Sequence, residues 1–297
     1  MNPNDPKNIV ITSAKTPQQD ILQDVVKGLL EKQGFKVKIN VFVDYTMHYK
    51  ALTSKSANAT FAVHTPYMDN YNNGLQDDKK KVVEIAKVHI VPFSLFSRSV
   101  TPDDWTARDT DLSDGVDTET ELYKKIHGKQ FIMSDSPSDY PRAYALLAAE
   151  KLLKLPEGAD VWKPSLTKEQ LADSAVNPYG FDFADSKKVA YDFLAQAYLK
   201  EDAAKYPIAI INGNFVLQAK LNIEWGAGSG WRLGKEETKV NGILCPYIND
   251  VNVMSGNENT PKALALAAAF NSTDVWDYIQ NNSKMKDYVF QGFDRPA

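Results

Sequence analysis

Near its N-terminus the chain places a strand, a helix and a second strand in succession, and this order constrains the fold most. Residues 8–12 form a short apolar run, residues 21–30 repeat apolar side chains at helical spacing, and residues 37–43 alternate. Thr16 begins a capping-box pattern for the helix, and Gly34 suits the left-handed turn that ends one. These elements form a βαβ unit with parallel strands, so the sequence predicts an α/β fold.

The alternation of strands and helices continues along the chain. Its 297 residues suggest about two domains. A polar stretch at 101–120 is predicted to be a surface excursion that marks a domain crossing. Further predicted strands lie at 59–63, 82–85, 88–96, 129–133 and 251–254, with a central strand at 207–211. Predicted helices lie at 49–52, 140–155, 189–199 and 261–281, and another begins at 65–66.

Composition excludes several classes of function. The net charge of −4 and the pI near 5.7 argue against nucleic acid as a partner. A single cysteine, Cys245, excludes CxxC zinc or redox sites, and the four histidines form no HExxH pair, so no metal is expected. The glycine-rich run at 226–230 lacks the Walker lysine, so no nucleotide cofactor is expected either.

Polar side chains follow the predicted strands at their carboxyl ends. In open parallel sheets ligands bind outside these ends, so the polar groups are expected to converge on one site. Each group alone also fits ordinary turn chemistry. The groups are Asp44 with Tyr45, the residues from His64 to Tyr67, those from Ser134 to Arg142, and those from Asn212 to Asn214.

Two residues in these groups carry the most chemistry. Arg142 lies in the first turn of a predicted helix that Ser136, Ser138 or Asp139 can cap, which suits a ligand carboxylate or phosphate; the alternative is a solvated surface arginine. His64 fits a catalytic base, a ligand contact or a buried histidine. An α/β hydrolase or transferase using His64 with Asp135 or Asp139 is therefore the alternative to a binding protein, although no GxSxG elbow is present.

Six motifs, in order, resemble those of the NlpA family, the methionine-binding lipoproteins of bacterial ABC importers. The resemblance covers residue 9 to about residue 290. The motifs are VFVDYTMHYKAL (41–52), FAVHTPYMDNYN (61–72), KVHIVPFSLFS (87–97), SDSPSDYPRAYALL (134–147), IINGNFVLQAKL (210–221) and PYINDVNV (246–253).

The resemblance implies a type II periplasmic binding protein fold with the ligand in a cleft between two lobes, and no catalysis. Lobe one would span 1–95 and 246–297, and lobe two 96–245. The implied partners are an amino acid or short peptide and the permease and ATPase of an importer, with a sensor or adhesion lipoprotein as a further alternative. Family members are held on the extracytoplasmic face of the membrane through an N-terminal lipidated cysteine, which this sequence lacks; a truncated form is therefore expected.

The resemblance also implies which residues contact the ligand. Arg142 takes the place of the arginine that pairs with the ligand carboxylate. The other matching positions are Tyr45, His64, Tyr67, Asn212 and Asn249.

Two positions depart from the family pattern. Ala62 replaces a phenylalanine, which would enlarge the side-chain pocket, and Asp139 replaces an asparagine, which would attract a ligand ammonium group. We therefore expect an amino acid or short peptide with a free amine, with methionine not clearly preferred.

Overall fold

The structure is a computed structural model that describes residues 1–220, 230–240 and 242–296. The strands are β1 Asn8–Ser13, β2 Lys36–Val41, β3 Ala59–His64, β4 Val82–Ile90, β5 Phe93–Ser97, β6 Phe131–Ser134, β7 Lys187–Val189, β8 Ile208–Asn212, β9 Trp231–Lys235, β10 Lys239–Val240, β11 Ile243–Leu244, β12 Ile248–Met254 and β13 Phe290–Gln291. The helices are α1 Gln18–Ile21, α2 Lys27–Lys32, α3 Thr46–Thr53, α4 Thr65–Asn73, α5 Pro102–Thr106, α6 Glu121–Ile126, α7 Tyr140–Ala149, α8 Lys168–Ala172, α9 Tyr191–Lys200, α10 Gly213–Gln218, α11 Pro261–Phe270 and α12 Thr273–Asn281. A π-helical turn, Leu22–Val26, joins α1 to α2, and 3₁₀ turns cover Asp78–Lys80 and Pro137–Asp139.

The chain divides into two compact units. The first unit contains residues 1–91 and 238–297, and the second contains 92–237. The boundaries predicted after residues 95 and 245 lie further along the chain than these. All of β5 belongs to the second unit because it pairs with β8 and β9. The polar stretch at 101–120 lies inside the second unit, so the prediction of a domain crossing there is wrong.

The first unit is built on a six-stranded mixed sheet in the order β13-β4-β12-β3-β1-β2. β1 pairs in parallel with β2 and β3, which confirms the predicted βαβ unit, whereas β12 runs antiparallel to β3 and β4. Every residue of β1 is buried, as expected for an inner strand. A small ribbon of β10 and β11 completes this unit's strands.

The start of the first helix differs from the prediction. Pro17 occupies the cap position of α1 and no side-chain cap bond forms, so the predicted capping box at Thr16 is wrong. The side chain of Gln18 is instead buried and donates to Asn249 Oδ1 at 2.9 Å. Gly34 does adopt the expected left-handed conformation, with φ of 88°.

The second unit is built on a five-stranded mixed sheet in the order β7-β6-β8-β5-β9. β8 is the middle strand, which confirms the prediction from its apolar run. β6 pairs in parallel with β7 and β8, and β5 is antiparallel to both of its neighbours. The core of this unit packs α7 against the sheet through Ala143, Leu146 and Leu147.

Several predicted boundaries shift. The single strand predicted at 88–96 is divided between β4 and β5, and the helix predicted at 261–281 is two helices, because Ser272 caps α12 through a bond from Val275 N–H. Residues 226–229 of the glycine-rich run lie outside the described residues. Within the described part of the chain, no helix has the length and apolar character to cross a membrane.

Candidate functional site

In the first unit, His64 and Asn249 lie beside each other where β3 ends. They are register partners in the antiparallel pairing of β3 with β12. His64 is the N-cap of α4, and its Nδ1 accepts a hydrogen bond from the backbone N–H of Tyr67 at 3.2 Å. Its ring meets Tyr247 edge-on, with centroids 5.3 Å apart. The Nδ1 contact requires the tautomer with its proton on Nε2, so this histidine serves as both cap and polar site group.

Four tyrosines of the first unit, Tyr45, Tyr49, Tyr67 and Tyr71, share an apolar cluster with Ala62, called here the tyrosine cluster. The ring centroid of Tyr67 lies 6.5 Å from that of Tyr45 and 6.0 Å from that of Tyr49, and Tyr71 is 4.4 Å from Tyr49. Ala62, 2% exposed, is packed in the same apolar cluster. Burial raises the pKa of Tyr67, which keeps its hydroxyl protonated. The cluster offers aromatic faces with hydroxyl groups, suited to an apolar side chain with a polar end.

A chain of hydrogen bonds between buried side chains joins Tyr49 of this cluster to β12, and the sequence did not predict it. Tyr49 Oη donates to Asn252 Oδ1 at 2.8 Å, and Asn252 Nδ2 donates to Asp250 Oδ1 at 3.0 Å. Burial, with the nearby Glu84 carboxylate, raises the pKa of Asp250 well above its ordinary value. The strand predicted at 251–254 begins one residue after Asp250, and no local pattern showed that β12 would place this carboxyl group in the interior.

Two histidines of the first unit are buried without a charge. Burial lowers the pKa of His48 to about 4 and that of His89 to about 3. His48 Nδ1 lies 3.0 Å from Thr12 Oγ1, and the His89 ring meets Phe61 edge-on at 5.3 Å. Both histidines are therefore neutral packing residues at physiological pH.

In the second unit, Arg142 is the centre of a buried ion pair. Its Nε lies 2.8 Å and 3.0 Å from the two carboxylate oxygens of Glu236, and its Nη2 lies 2.6 Å from Oε2. The guanidinium carbon also lies 4.3 Å from the ring centroid of Phe93. Arg142 is 1% exposed and Glu236 4% exposed. The alternative of a solvated surface arginine is therefore wrong.

Asp139 occupies the N-cap position of α7, but its side chain makes no cap bond, and neither do the serines before it. Asp139 is 1% exposed, and its Oδ2 accepts a short hydrogen bond from the hydroxyl of Tyr191. Tyr191 in turn stacks on Phe215 with centroids 4.6 Å apart. Burial raises the pKa of Asp139, opposed in part by the Tyr191 bond and by Arg142. The predicted contact of Asp139 with a ligand ammonium group stays a prediction.

Asn212 ends β8 and caps α10, its side chain accepting from the backbone N–H of Asn214 at 3.3 Å. Asn212 is also the register partner of Phe93 across the β5–β8 pairing. Asn214 is buried, and its Oδ1 has no hydrogen-bond partner among the described residues. The strand-end position predicted for the Asn212–Asn214 group is confirmed.

The structure thus brings the predicted residues together within each unit. Tyr45, Ala62 and Tyr67 share the tyrosine cluster, with His64 and Asn249 paired beside it. The contributions of Gln18, Glu236 and Tyr191 could not be found from local sequence, since each acts on a partner far away in the chain. Among the described residues no group of three or more His, Cys, Asp or Glu side chains could hold a metal ion.

Comparison with known proteins connects this geometry to a family. A methionine-binding lipoprotein, MetQ, of Bacillus subtilis is 28% identical over 274 residues, which is 92% of this chain and 85% of that protein. A nutrient-binding protein from Burkholderia cenocepacia, solved bound to methionine, matches with a TM-score of 0.68 and 22% identity over 96% of this chain and 100% of that one. Lipoprotein Tp32 from Treponema pallidum matches with a TM-score of 0.67 and 20% identity, covering 96% and 98%. These similarities confirm the predicted α/β fold class.

The profile of the NlpA lipoprotein family matches residues 9–292, which includes every candidate site residue in both units. This is a family of substrate-binding lipoproteins and not of enzymes, so the hydrolase or transferase alternative is wrong. With its sequence motifs, its mixed α/β sheets and this match in agreement, the chain belongs to the NlpA lipoprotein family.

Proposed function

We propose that this substrate-binding protein serves an ABC importer from the extracytoplasmic face of the membrane, held there by a lipid anchor. Its ligand is an amino acid, methionine or a close relative, or a short peptide. The observation that carries the proposal is the family match over residues 9–292, together with the B. subtilis relative named as methionine-binding. The permease and ATPase of the importer are its proposed partners.

Each unit supplies a different part of the proposed recognition. Within the tyrosine cluster, Tyr45, Tyr67 and Ala62 contact the ligand side chain, because aromatic rings pack well against a thioether or aliphatic chain. His64 and Asn249 hydrogen-bond to polar ligand atoms beside that cluster.

From the second unit, Arg142 attracts the ligand carboxylate, with Asn212 and Asp139 as further polar contacts. Ala62 is 2% exposed and packed in the tyrosine cluster, which does not support the enlarged pocket expected from the substitution.

Mass spectrometry of ligand released on denaturation, followed by a thermal-shift screen, tests the proposal. The screen contains the common amino acids, both enantiomers of methionine and glycyl-methionine. Saturating ligand stabilises a binding protein by about 2.7 kcal/mol at 100 times its Kd, so at least one compound is expected to raise Tm by several degrees without being consumed. If no amino acid or dipeptide shifts Tm and none is released, the proposed ligand class is wrong.

Coupling to an importer needs a separate test. Deleting the gene in its own organism is expected to abolish high-affinity uptake of the identified ligand, and a plasmid copy is expected to restore it. Unchanged uptake in the deletion strain would favour a sensor or adhesion lipoprotein instead.

A further inference from the structure

Arg142 is a buried candidate site residue with an ion-pair partner, and that partner belongs to the protein itself. Glu236 takes the Nε–Nη2 edge of the guanidinium with contacts of 2.6–3.0 Å. A bidentate arrangement of this kind is the one that a ligand carboxylate would also use. Both side chains are removed from solvent, so little screening weakens the pair.

Glu236 is fixed in place by more than this pair. Its backbone N–H donates to the carbonyl of Phe93 at 2.9 Å, and its Oε2 accepts from the backbone N–H of Phe93 at 3.2 Å. The ring of Phe93 also contacts Arg142, since its centroid lies 4.3 Å from the guanidinium carbon. Glu236, Arg142 and Phe93 therefore hold one another in place. Moving the Glu236 carboxylate away would break its bonds to both Arg142 and the backbone of Phe93.

The charge around the pair is balanced. Arg142 contributes one positive charge and Glu236 one negative charge, and within the pair these two charges cancel. A ligand carboxylate that approaches Arg142 therefore meets a neutralised cation and the like charge of Glu236.

We propose that Glu236 is a specificity-determining residue, a resident counter-ion of Arg142 with which a ligand carboxylate must compete. The inference rests on the proposed function, because it assumes that Arg142 faces the ligand. Its consequence is that the protein discriminates only weakly between an amino acid and the corresponding amide. Recognition then depends more on the ligand side chain than on its carboxylate.

Isothermal titration calorimetry with L-methionine and L-methioninamide tests the proposal. The measured quantity is the ratio of the amide Kd to the acid Kd in the wild type and in Glu236→Gln. Removing the competing charge is expected to raise this ratio about tenfold, through tighter binding of the acid. A ratio that is unchanged, or that falls because the acid binds less tightly, would overturn the proposal, since Glu236 would then be inert or would only position Arg142.

A matched control comes from another ion pair of the same unit. Glu150 accepts from Arg108 at 3.1 Å and is partly buried, so Glu150→Gln also removes one paired carboxylate from the second unit. This variant is expected to leave the ratio unchanged; an equal rise would attribute the effect to net charge and overturn the proposal. If Glu236→Gln does not fold, Glu236→Asp shortens the side chain and is expected to raise the ratio two- to threefold, with no rise counting against the proposal.

A second readout separates this inference from the proposed function. Failure of both methionine compounds to bind any variant would count against the proposed ligand, and sodium acetate then becomes the probe. In ¹⁵N spectra the Arg142 Nε–H signal is expected to shift with acetate at lower concentration in Glu236→Gln than in the wild type. Equal responses in the two proteins would overturn the competition.

Discussion

The candidate site residues of the two units use different chemistry. In the first unit, Tyr45, Ala62 and Tyr67 share an apolar cluster, and their polar neighbours are an imidazole and an amide. In the second unit, Arg142 and Asp139 are buried ionisable groups, each already bonded to a side chain of the protein. Packing holds the first set of residues in place, and bonds between polar side chains hold the second set. Substitutions in the two units are therefore expected to lower the free energy of unfolding for different physical reasons.

The largest effect is expected where the pairing is broken. Arg142→Ala leaves Glu236 buried without its cation, and breaking such a pair costs about 3–5 kcal/mol of unfolding free energy. Urea denaturation measures this cost. Replacing both partners, as Arg142→Met with Glu236→Leu, is expected to recover most of it because no charge is stranded.

A loss below about 1 kcal/mol in the single variant would show that water reaches the carboxylate, which is the ordinary behaviour of a surface pair. Because Arg142→Ala is expected to destabilise the protein, weaker ligand binding by this variant would have two explanations. Either a ligand contact is lost, or the second unit is damaged. Binding is better tested at Glu236.

The packing of the first unit is tested by Ala62→Phe. Because Ala62 is 2% exposed among tyrosines, a larger ring has to displace its neighbours, at a cost of about 1–3 kcal/mol in unfolding free energy. Ala268→Phe, on an exposed position of α11, is the control and is expected to cost little. If Ala62→Phe were as stable as the wild type and bound methionine more tightly, the enlarged pocket predicted from the sequence would be present.

Asp250 sharpens the comparison because it bonds to the neutral amide of Asn252 and lies near the carboxylate of Glu84, whereas Arg142 is paired with an opposite charge. Its pKa in the folded protein is raised above 3.8, so the folded state holds the proton more tightly than the unfolded state. Its contribution to stability is therefore lost as pH rises from about 3.8 through the raised pKa.

Asp250→Asn keeps an oxygen for Asn252 and removes this pH dependence. At pH 7 the variant is expected to be about 1–2 kcal/mol more stable than the wild type, with the gain vanishing near pH 4. Chemical denaturation at a series of pH values measures this, with the exposed Asp69→Asn as control. A variant less stable at pH 7 would mean that the ionised carboxylate is held by favourable bonds.

The smallest effect is expected at the hydroxyl of Tyr49. Tyr49→Phe keeps the ring contacts and removes the donor to Asn252, which costs about 1 kcal/mol. Tyr71→Phe, in the ring that packs against Tyr49, is the matched control and is expected to change stability by less than about 0.5 kcal/mol. Equal effects in both variants would show that the tyrosine cluster depends on packing alone.

Patterns that depend on near neighbours predicted much of the fold. The buried strands β1 and β8, the parallel βαβ unit and the turn at Gly34 all follow from periodicity or backbone freedom within a few residues. The division of the last predicted helix could also have been read locally, because Ser272 is a good N-cap residue. These elements are specified locally because the burial of a strand or a helix face repeats with a short period.

The sequence by itself therefore determined the fold class, the order of the elements, the family and the positions of the polar groups at strand ends. Only the tertiary structure decided what those groups bond to. The side chain of Gln18 donates to Asn249, and Arg142 pairs with Glu236 across 94 residues of sequence. A glutamate in a charged stretch looks solvated when read locally. Its burial depends on strands that meet only in the folded sheet, where desolvation makes an internal counter-ion necessary.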